Sequence, residues 1–128
     1  YTPHFYRLLP IDTISDDRGS FSEIFKFKKI SGQISILNCN KKQIRGGHYH
    51  NEKLEIFVCL SGEIKIKTLD LNTKKRKTYK LNSNNLAIFR TIPGEIHTVI
   101  NETKKNACIL IWANEIFDKK KPDTYFII

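Results

Sequence analysis

The sequence predicts an all-β protein, a single sandwich or barrel, on three observations. Hydrophobic and polar residues alternate with period two almost throughout. Short strand-like runs recur about every ten residues and are separated by polar turns. No stretch carries a sustained helical period.

The runs follow one another along the chain as I-S-I-L (34–37), I-F-V-C-L (56–60), I-K-I-K-T-L-D-L (64–71), T-Y-K-L (78–81), L-A-I-F (86–89), H-T-V-I (97–100) and A-C-I-L-I-W (107–112). Each is rich in β-branched or aromatic residues, which suit a pleated, half-buried surface. The pieces between them, N-C-N-K-K, S-G, L-N-T-K-K, N-S-N-N and I-P-G-E, have turn composition. Only N-E-I-F-D-K-K-K-P-D (114–123) has room for one helical turn. There is no internal repeat, low-complexity segment or linker, so residues 1–128 read as one domain.

Composition narrows the function classes. Mean hydropathy is −0.39, and no apolar run approaches the roughly 18 residues of a membrane span. The N-terminus carries no signal-peptide pattern. Cys39, Cys59 and Cys108 are an odd number without C-x-x-C spacing, and Cys59 and Cys108 lie in apolar runs. The expectation is reduced, buried thiols in a cytoplasmic protein. Net charge is +9, from 22 Lys and Arg against 13 Asp and Glu, which favours anionic partners. Much of the excess sits in K-K-R-K (74–77) and K-K-K (119–121), read as solvated loops, the first a hairpin tip. Aromatics are not interleaved with the basic residues, so neither nucleic acid nor a membrane is the expected partner.

The chemistry concentrates in R-G-G-H-Y-H-N-E-K-L-E (45–55). On a strand, His48 and His50 share a face, and Tyr49 points the other way. Glu55 opens the next strand, and His97 opens another after P-G-E-I. Three imidazoles and a carboxylate suit Zn²⁺, Fe²⁺, Mn²⁺ or Ni²⁺ with positions left open for water or substrate. The spacing H-x-H-x4-E-x6-G (48–62), followed by P-G-x2-H-x3-N (93–101), resembles the two-part pattern of the cupin superfamily. Turn positions depart from that pattern at Lys42 and Ile92. His4 lies outside it and reads as a surface residue.

Longer stretches resemble one branch of that superfamily. They are D-D-R-G-S-F-S-E-I (16–24), G-Q-I-S-I (32–36), the 45–55 segment and W-A-N-E-I-F-D-K-K-K-P-D-T-Y-F (112–126). Together they are similar to the C-terminal cupin domain of the CapF-like bifunctional capsule-synthesis enzymes. The resemblance implies a cupin jelly-roll barrel that binds zinc through His48, His50, Glu55 and His97. It implies epimerisation at C3 of a nucleotide-diphosphate-linked 4-keto-6-deoxy amino sugar, in capsule or O-antigen biosynthesis. Those enzymes also carry a reductase domain. This chain has no nucleotide-binding glycine motif, so reduction is expected from a separate polypeptide. R-G-x-H-x-H with V-C-L-x-G also resembles the 3,4-ketoisomerases that act on dTDP-4-keto-6-deoxyglucose. D-x-R-G-x-F-x-E is shared with the metal-free rhamnose 3,5-epimerases. A non-catalytic sugar-binding cupin is the third reading.

Removing the C3 proton needs a base, an acid and stabilisation of the enolate. Lys53 and Glu52 lie on the turn beside the metal ligands, and Tyr125 is placed to close over the site. The ligand residues themselves are alternative bases if no metal is bound. Arg45 and Arg18 are the expected diphosphate contacts, since a guanidinium fork grips phosphate bidentately. Arg18 has Asp16, Asp17 or Glu23 as competing salt-bridge partners. Glu23 and Gln33 are further candidate sugar contacts. Gly46 and Gly47 fit either a close backbone approach to a ligand or a β-bulge. Small cupins commonly cover an edge strand by pairing, so a homodimer is expected.

Overall fold

The computed structural model describes residues 7–25, 31–50, 53–116, 118, 120, 123, 125 and 126, with backbone alone at His48 and Phe126. Glu52, His4 and the His48 side chain thus lie outside the described residues. All regular structure among the described residues is strand. In chain order the strands are β1 (Leu8–Pro10), β2 (Thr13–Asp16), β3 (Gly19–Ser22), β4 (Gln33–Cys39), β5 (Ile44–Tyr49) and β6 (Glu55–Ser61). They continue as β7 (Glu63–Asp70), β8 (Arg76–Asn82), β9 (Ala87–Arg90), β10 (Glu95–Ile100), β11 (Ala107–Ala113) and β12 (Tyr125–Phe126). No helix among the described residues is long and apolar enough to cross a membrane.

Two five-stranded antiparallel sheets face each other. One runs β1-β9-β6-β11-β4 and the other β12-β5-β10-β7-β8, and β2-β3 forms a separate hairpin. Chain neighbours such as β5 and β6, or β10 and β11, lie in opposite sheets, as in a jelly roll. Every predicted run coincides with one of these strands, the 64–71 run passing the end of β7 by one residue and the 86–89 run starting one residue before β9. β1, β2, β3 and β12 carried no such run, because they are too short, polar or exposed to show alternation, and β5 carried none because Gly46 and Gly47 interrupt it.

Period two decides which side chains meet. Phe57 and Cys59 of β6, Ile64 and Ile66 of β7, Leu81 of β8, Phe89 of β9, Val99 of β10 and Ile109 of β11 fill the space between the sheets. Lys65, Lys67 and Lys80 alternate outward. Asn101, the last residue of the second motif, is buried and structural. Its amide donates to the carbonyls of Cys39 (3.0 Å) and Lys105 (2.8 Å), pinning the end of β4 to the following loop. The 74–77 run divides. Lys74 and Lys75 lie in the turn, which Asp70 closes by accepting from the Asn72 and Thr73 amides, while Arg76 and Lys77 belong to β8. Cys39 and Cys59 are buried but Cys108 is only half-buried, a correction to its expected burial, since it takes an outward position on β11. Burial pushes the Cys59 thiol up to about 11, so it is unreactive at neutral pH.

One ion pair clasps the two sheets together. The Arg7 guanidinium, just before β1, meets Glu95 of β10 through two hydrogen bonds of 2.6 and 3.3 Å. It lies 5.4 and 5.2 Å from the ring centroids of Tyr79 and Phe89, and Nε donates to the Arg90 carbonyl. Removing Arg7 leaves a charged carboxylate in a largely closed setting. Arg7→Ala should cost about 3 kcal/mol, the lower end for a broken buried pair, because the Arg7 side chain keeps 19% exposure. Urea unfolding checks this, and a loss below about 0.5 kcal/mol contradicts it.

Candidate metal centre and substrate cavity

The site forms where β5 and β10 pair. His48 stands opposite His97, but Thr98 then faces Gly46, so Gly47 is an extra residue in β5. This is a β-bulge, and both glycines have positive φ, 101° and 76°. A side chain at Gly46 would come within 2.8 Å of the His97 carbonyl oxygen. The bulge also changes the face of what precedes it. Without it, alternation from His48 would turn Arg45 outward. With it, Arg45 pairs with inward-facing Val99 and joins the cavity wall.

Glu55 and His97 are delivered by the same alternation that builds the core. Glu55 begins β6 and is held at both main-chain ends by Thr91, whose Oγ1 accepts from the Glu55 amide and whose own amide donates to the Glu55 carbonyl. His97 sits between inward-facing Glu95 and Val99, with Phe57 edge-on at 5.8 Å. His50 follows β5 directly and is buried. Its carbonyl accepts from the Gly94 amide at 2.7 Å, tying it to the turn before β10.

The three side chains converge. His50 Nε2 lies 2.8 Å and His97 Nε2 3.5 Å from the same oxygen of Glu55, and the two rings are 5.3 Å apart. One donor atom from each residue falls within 4.8 Å of the others. The other nitrogen of His50, Nδ1, lies 2.7 Å from the Asp123 carbonyl. A carbonyl only accepts, so Nδ1 carries the proton. Nε2 then faces a carboxylate, an arrangement stable only with a second proton on the ring or with a shared cation. Burial works to raise the Glu55 carboxyl, but the hydrogen bonds and charges of His50 and His97 outweigh it and hold the group well below the usual carboxylate range. The donor set, one ionised carboxylate and two imidazoles with one tautomer already fixed, fits a borderline divalent metal.

Beside this group lies a cavity of about 280 Å³ lined by Leu37, Arg45, Gly46, Glu55, Phe57, His97, Val99 and Ile111. Apolar walls thus carry an acid and an imidazole, and Arg45 borders the same cavity as an exposed residue whose guanidinium donates to the Asn38 carbonyl at 3.5 Å.

The remaining expected site residues take varied places. The His48 main chain is opposite His97. Gln33 faces inward across Ala113 from Glu55 and bonds Ser35. Lys53 is buried, its amide donating to Asp123 Oδ2 at 2.8 Å. Arg18 pairs with Asp16 on the exposed hairpin, and Glu23 lines a separate groove with Phe21 and Ile88. Neither lines the Glu55–His97 cavity, because β2 and β3 form their own sheet. Tyr125 stacks on Tyr49 at 5.3 Å and shares its face of the sheet, opposite that of His50. The expectation that Tyr125 closes over the site thus meets a ring turned to the other side. Asp123 and Thr91 escaped the sequence reading. Nothing local marks them, since each acts on a segment distant in sequence.

Comparison with known proteins agrees with the fold and the motif. A family model described as the polysaccharide biosynthesis C-terminal domain matches residues 14–125. The UDP-2-acetamido-2,6-beta-L-arabino-hexul-4-ose reductase of Pseudomonas aeruginosa is 36% identical over 111 residues, covering 87% of this chain and 30% of that protein. The capsular polysaccharide assembling protein CapF of Staphylococcus aureus superposes with a TM-score of 0.74 at 31% identity, over 92% of this chain and 34% of that one. This chain therefore corresponds to a minor part of both relatives. A dTDP-4-dehydrorhamnose 3,5-epimerase of Bacillus anthracis reaches a TM-score of 0.80 at 17% identity, over 94% of this chain and 77% of that one, a likeness of fold alone.

The bulge yields a test. Gly46→Ala should cost about 1–3 kcal/mol in urea unfolding, the range for a strained backbone position. It should also weaken pyrophosphate binding as much as Arg45→Ala does, and Arg45→Ala should leave stability intact. A Gly46→Ala protein with parental stability and binding contradicts the role given to the bulge.

Proposed function

The chain belongs to the polysaccharide biosynthesis C-terminal domain family, and we propose that it is a sugar-nucleotide isomerase, removing the C3 proton of a nucleotide-diphosphate-linked 4-keto-6-deoxy amino sugar and returning it with inversion. One observation carries this reading. The His50–Glu55–His97 group and Arg45 border one apolar-walled cavity. The hexul-4-ose in the name of the Pseudomonas relative is a 4-keto sugar on a UDP carrier, which supports the substrate class.

A C3 proton next to a C4 ketone is lost only if the enolate is stabilised where it forms. His50, Glu55 and His97, with His48 as the fourth ligand, would hold a divalent cation, with zinc the first choice. When bound it supplies Lewis acidity to a substrate oxygen. Leu37, Phe57, Val99 and Ile111 exclude water, which strengthens every charge interaction in the cavity. Arg45 grips the diphosphate and sets the depth of the sugar. Glu55 and His97 reach the cavity surface, where they are alternative bases only with no metal bound, and His50 lies buried behind them as the third ligand. Lys53 and Gln33 are proposed to assist at the rim. Reduction of the product is assigned to another domain or polypeptide. Exposed Ile34, Ile36 and Leu60 lie on the outer face of the β4-containing sheet, and a second copy of the chain is proposed to cover them.

Proton NMR of a UDP-linked 4-keto-6-deoxy amino sugar in D₂O tests the proposal. Deuterium should enter at C3 with inversion, and His97→Ala or a chelator should slow entry by at least about 100-fold. Appearance of a C4 proton with a C3 ketone would instead make the protein a 3,4-ketoisomerase. A protonated C3 throughout, with saturable binding, would leave a sugar-binding module.

A further inference from the structure

We propose that Asp123 is a positioning residue that makes the metal centre depend on the docking of β12; this rests on the metal reading of the site. Asp123 touches both ends of the segment that joins His50 to the rest of the centre. Its carbonyl oxygen receives His50 Nδ1–H at 2.7 Å, and its carboxylate Oδ2 receives the Lys53 amide at 2.8 Å. Lys53 lies three residues after His50 and two before Glu55. One residue from the far end of the chain therefore braces the connection between two ligands.

The local backbone suits this task. Asp123 has φ +45°, a conformation that Asp, Asn and Gly adopt far more readily than β-branched residues. Two residues on, β12 pairs with β5, Tyr125 opposite Tyr49 and Phe126 opposite His48, and the Tyr49 and Tyr125 rings stack with 25° between their planes. Strand pairing thus sets Asp123 close to the end of β5, where it meets His50. The carboxylate anchors Asp123 to the Lys53 amide, and the carbonyl then fixes which nitrogen of His50 carries the proton. Only with Nδ1 protonated does Nε2 offer its lone pair toward Glu55 and the centre of the group. Asp123 meets no reacting atom in this arrangement and acts through His50.

The test uses the full chain, Co²⁺ alone as the metal probe, and three substitutions. Asp123→Asn keeps an acceptor oxygen and the backbone preference. Asp123→Gly keeps the backbone freedom but removes the anchor, and Asp123→Val removes both. Co²⁺ affinity is read from ligand-field absorption, and the His50 tautomer from long-range ¹H–¹⁵N NMR of the metal-free protein. The expected result is affinity lowered by about 10- to 100-fold in the Gly and Val variants, with loss of the pure Nδ1–H tautomer. Asp123→Asn should stay within about threefold of the parent on both readouts. Asp123→Gly matching the parent, or Asp123→Asn falling as far as Asp123→Gly, overturns the proposal. If the parent binds no Co²⁺, the metal reading fails by itself. The tautomer comparison then still decides the role of Asp123, independently of turnover.

Discussion

A buried imidazole with a carbonyl oxygen at one nitrogen and a carboxylate at the other has very few stable states. His50 is such a ring, and most of the site follows from it. The Asp123 carbonyl commits Nδ1 to donation, which leaves Nε2 to face ionised Glu55 across 2.8 Å. Either the ring is an imidazolium or the two groups share a cation. His97, approaching the same Glu55 oxygen from β10, makes the cation the more economical solution, because one ion then satisfies three ligands. The apolar walls beyond Glu55 sharpen the choice, since an unshared charge there would be poorly solvated.

The fold meets this constraint with two local devices and one long-range clasp. The Gly46–Gly47 bulge lets β5 keep its pairing with β10 while setting Arg45 opposite inward-facing Val99, so Arg45 and Glu55 border the same cavity. The Thr91 hydroxyl and amide hold the main chain of Glu55, so the carboxylate does not swing away from the histidines. Arg7 and Glu95 fasten the sheet that carries Glu55 to the sheet that carries His97. Pre-organisation of this sort is what a proton-transfer site requires, because disorder in any ligand weakens the field at the place where charge develops.

Much of this was legible in the sequence, and the rest was hidden for a physical reason. Period-two alternation is a local property, so β4, β6, β7, β8, β9, β10 and β11 could be read directly, as could the inward direction of Glu55 and His97. Pairing is not local. Gly46 and Gly47 admit a β-bulge, but nothing near residue 45 names the strand some fifty residues later against which β5 bulges, so Arg45 was recognised for its charge and not for its place opposite Val99. Arg18 and Glu23 carry a recognisable motif, but their segment closes on itself as a hairpin, and Arg18 finds its partner two residues away in Asp16. Asp123 was invisible because its work is done by a main-chain carbonyl whose position depends on β12. The place of Tyr125, stacked on Tyr49, follows from a register that composition does not reveal.

The most direct test of the shared-cation account is anomalous diffraction from crystals of the full chain grown with zinc, recorded on either side of the zinc absorption edge. The expected result is a single strong peak bounded by His50 Nε2, His97 Nε2 and Glu55. Well-ordered ligand side chains with no peak between them would contradict it, leaving His50 and Glu55 as a bare ion pair.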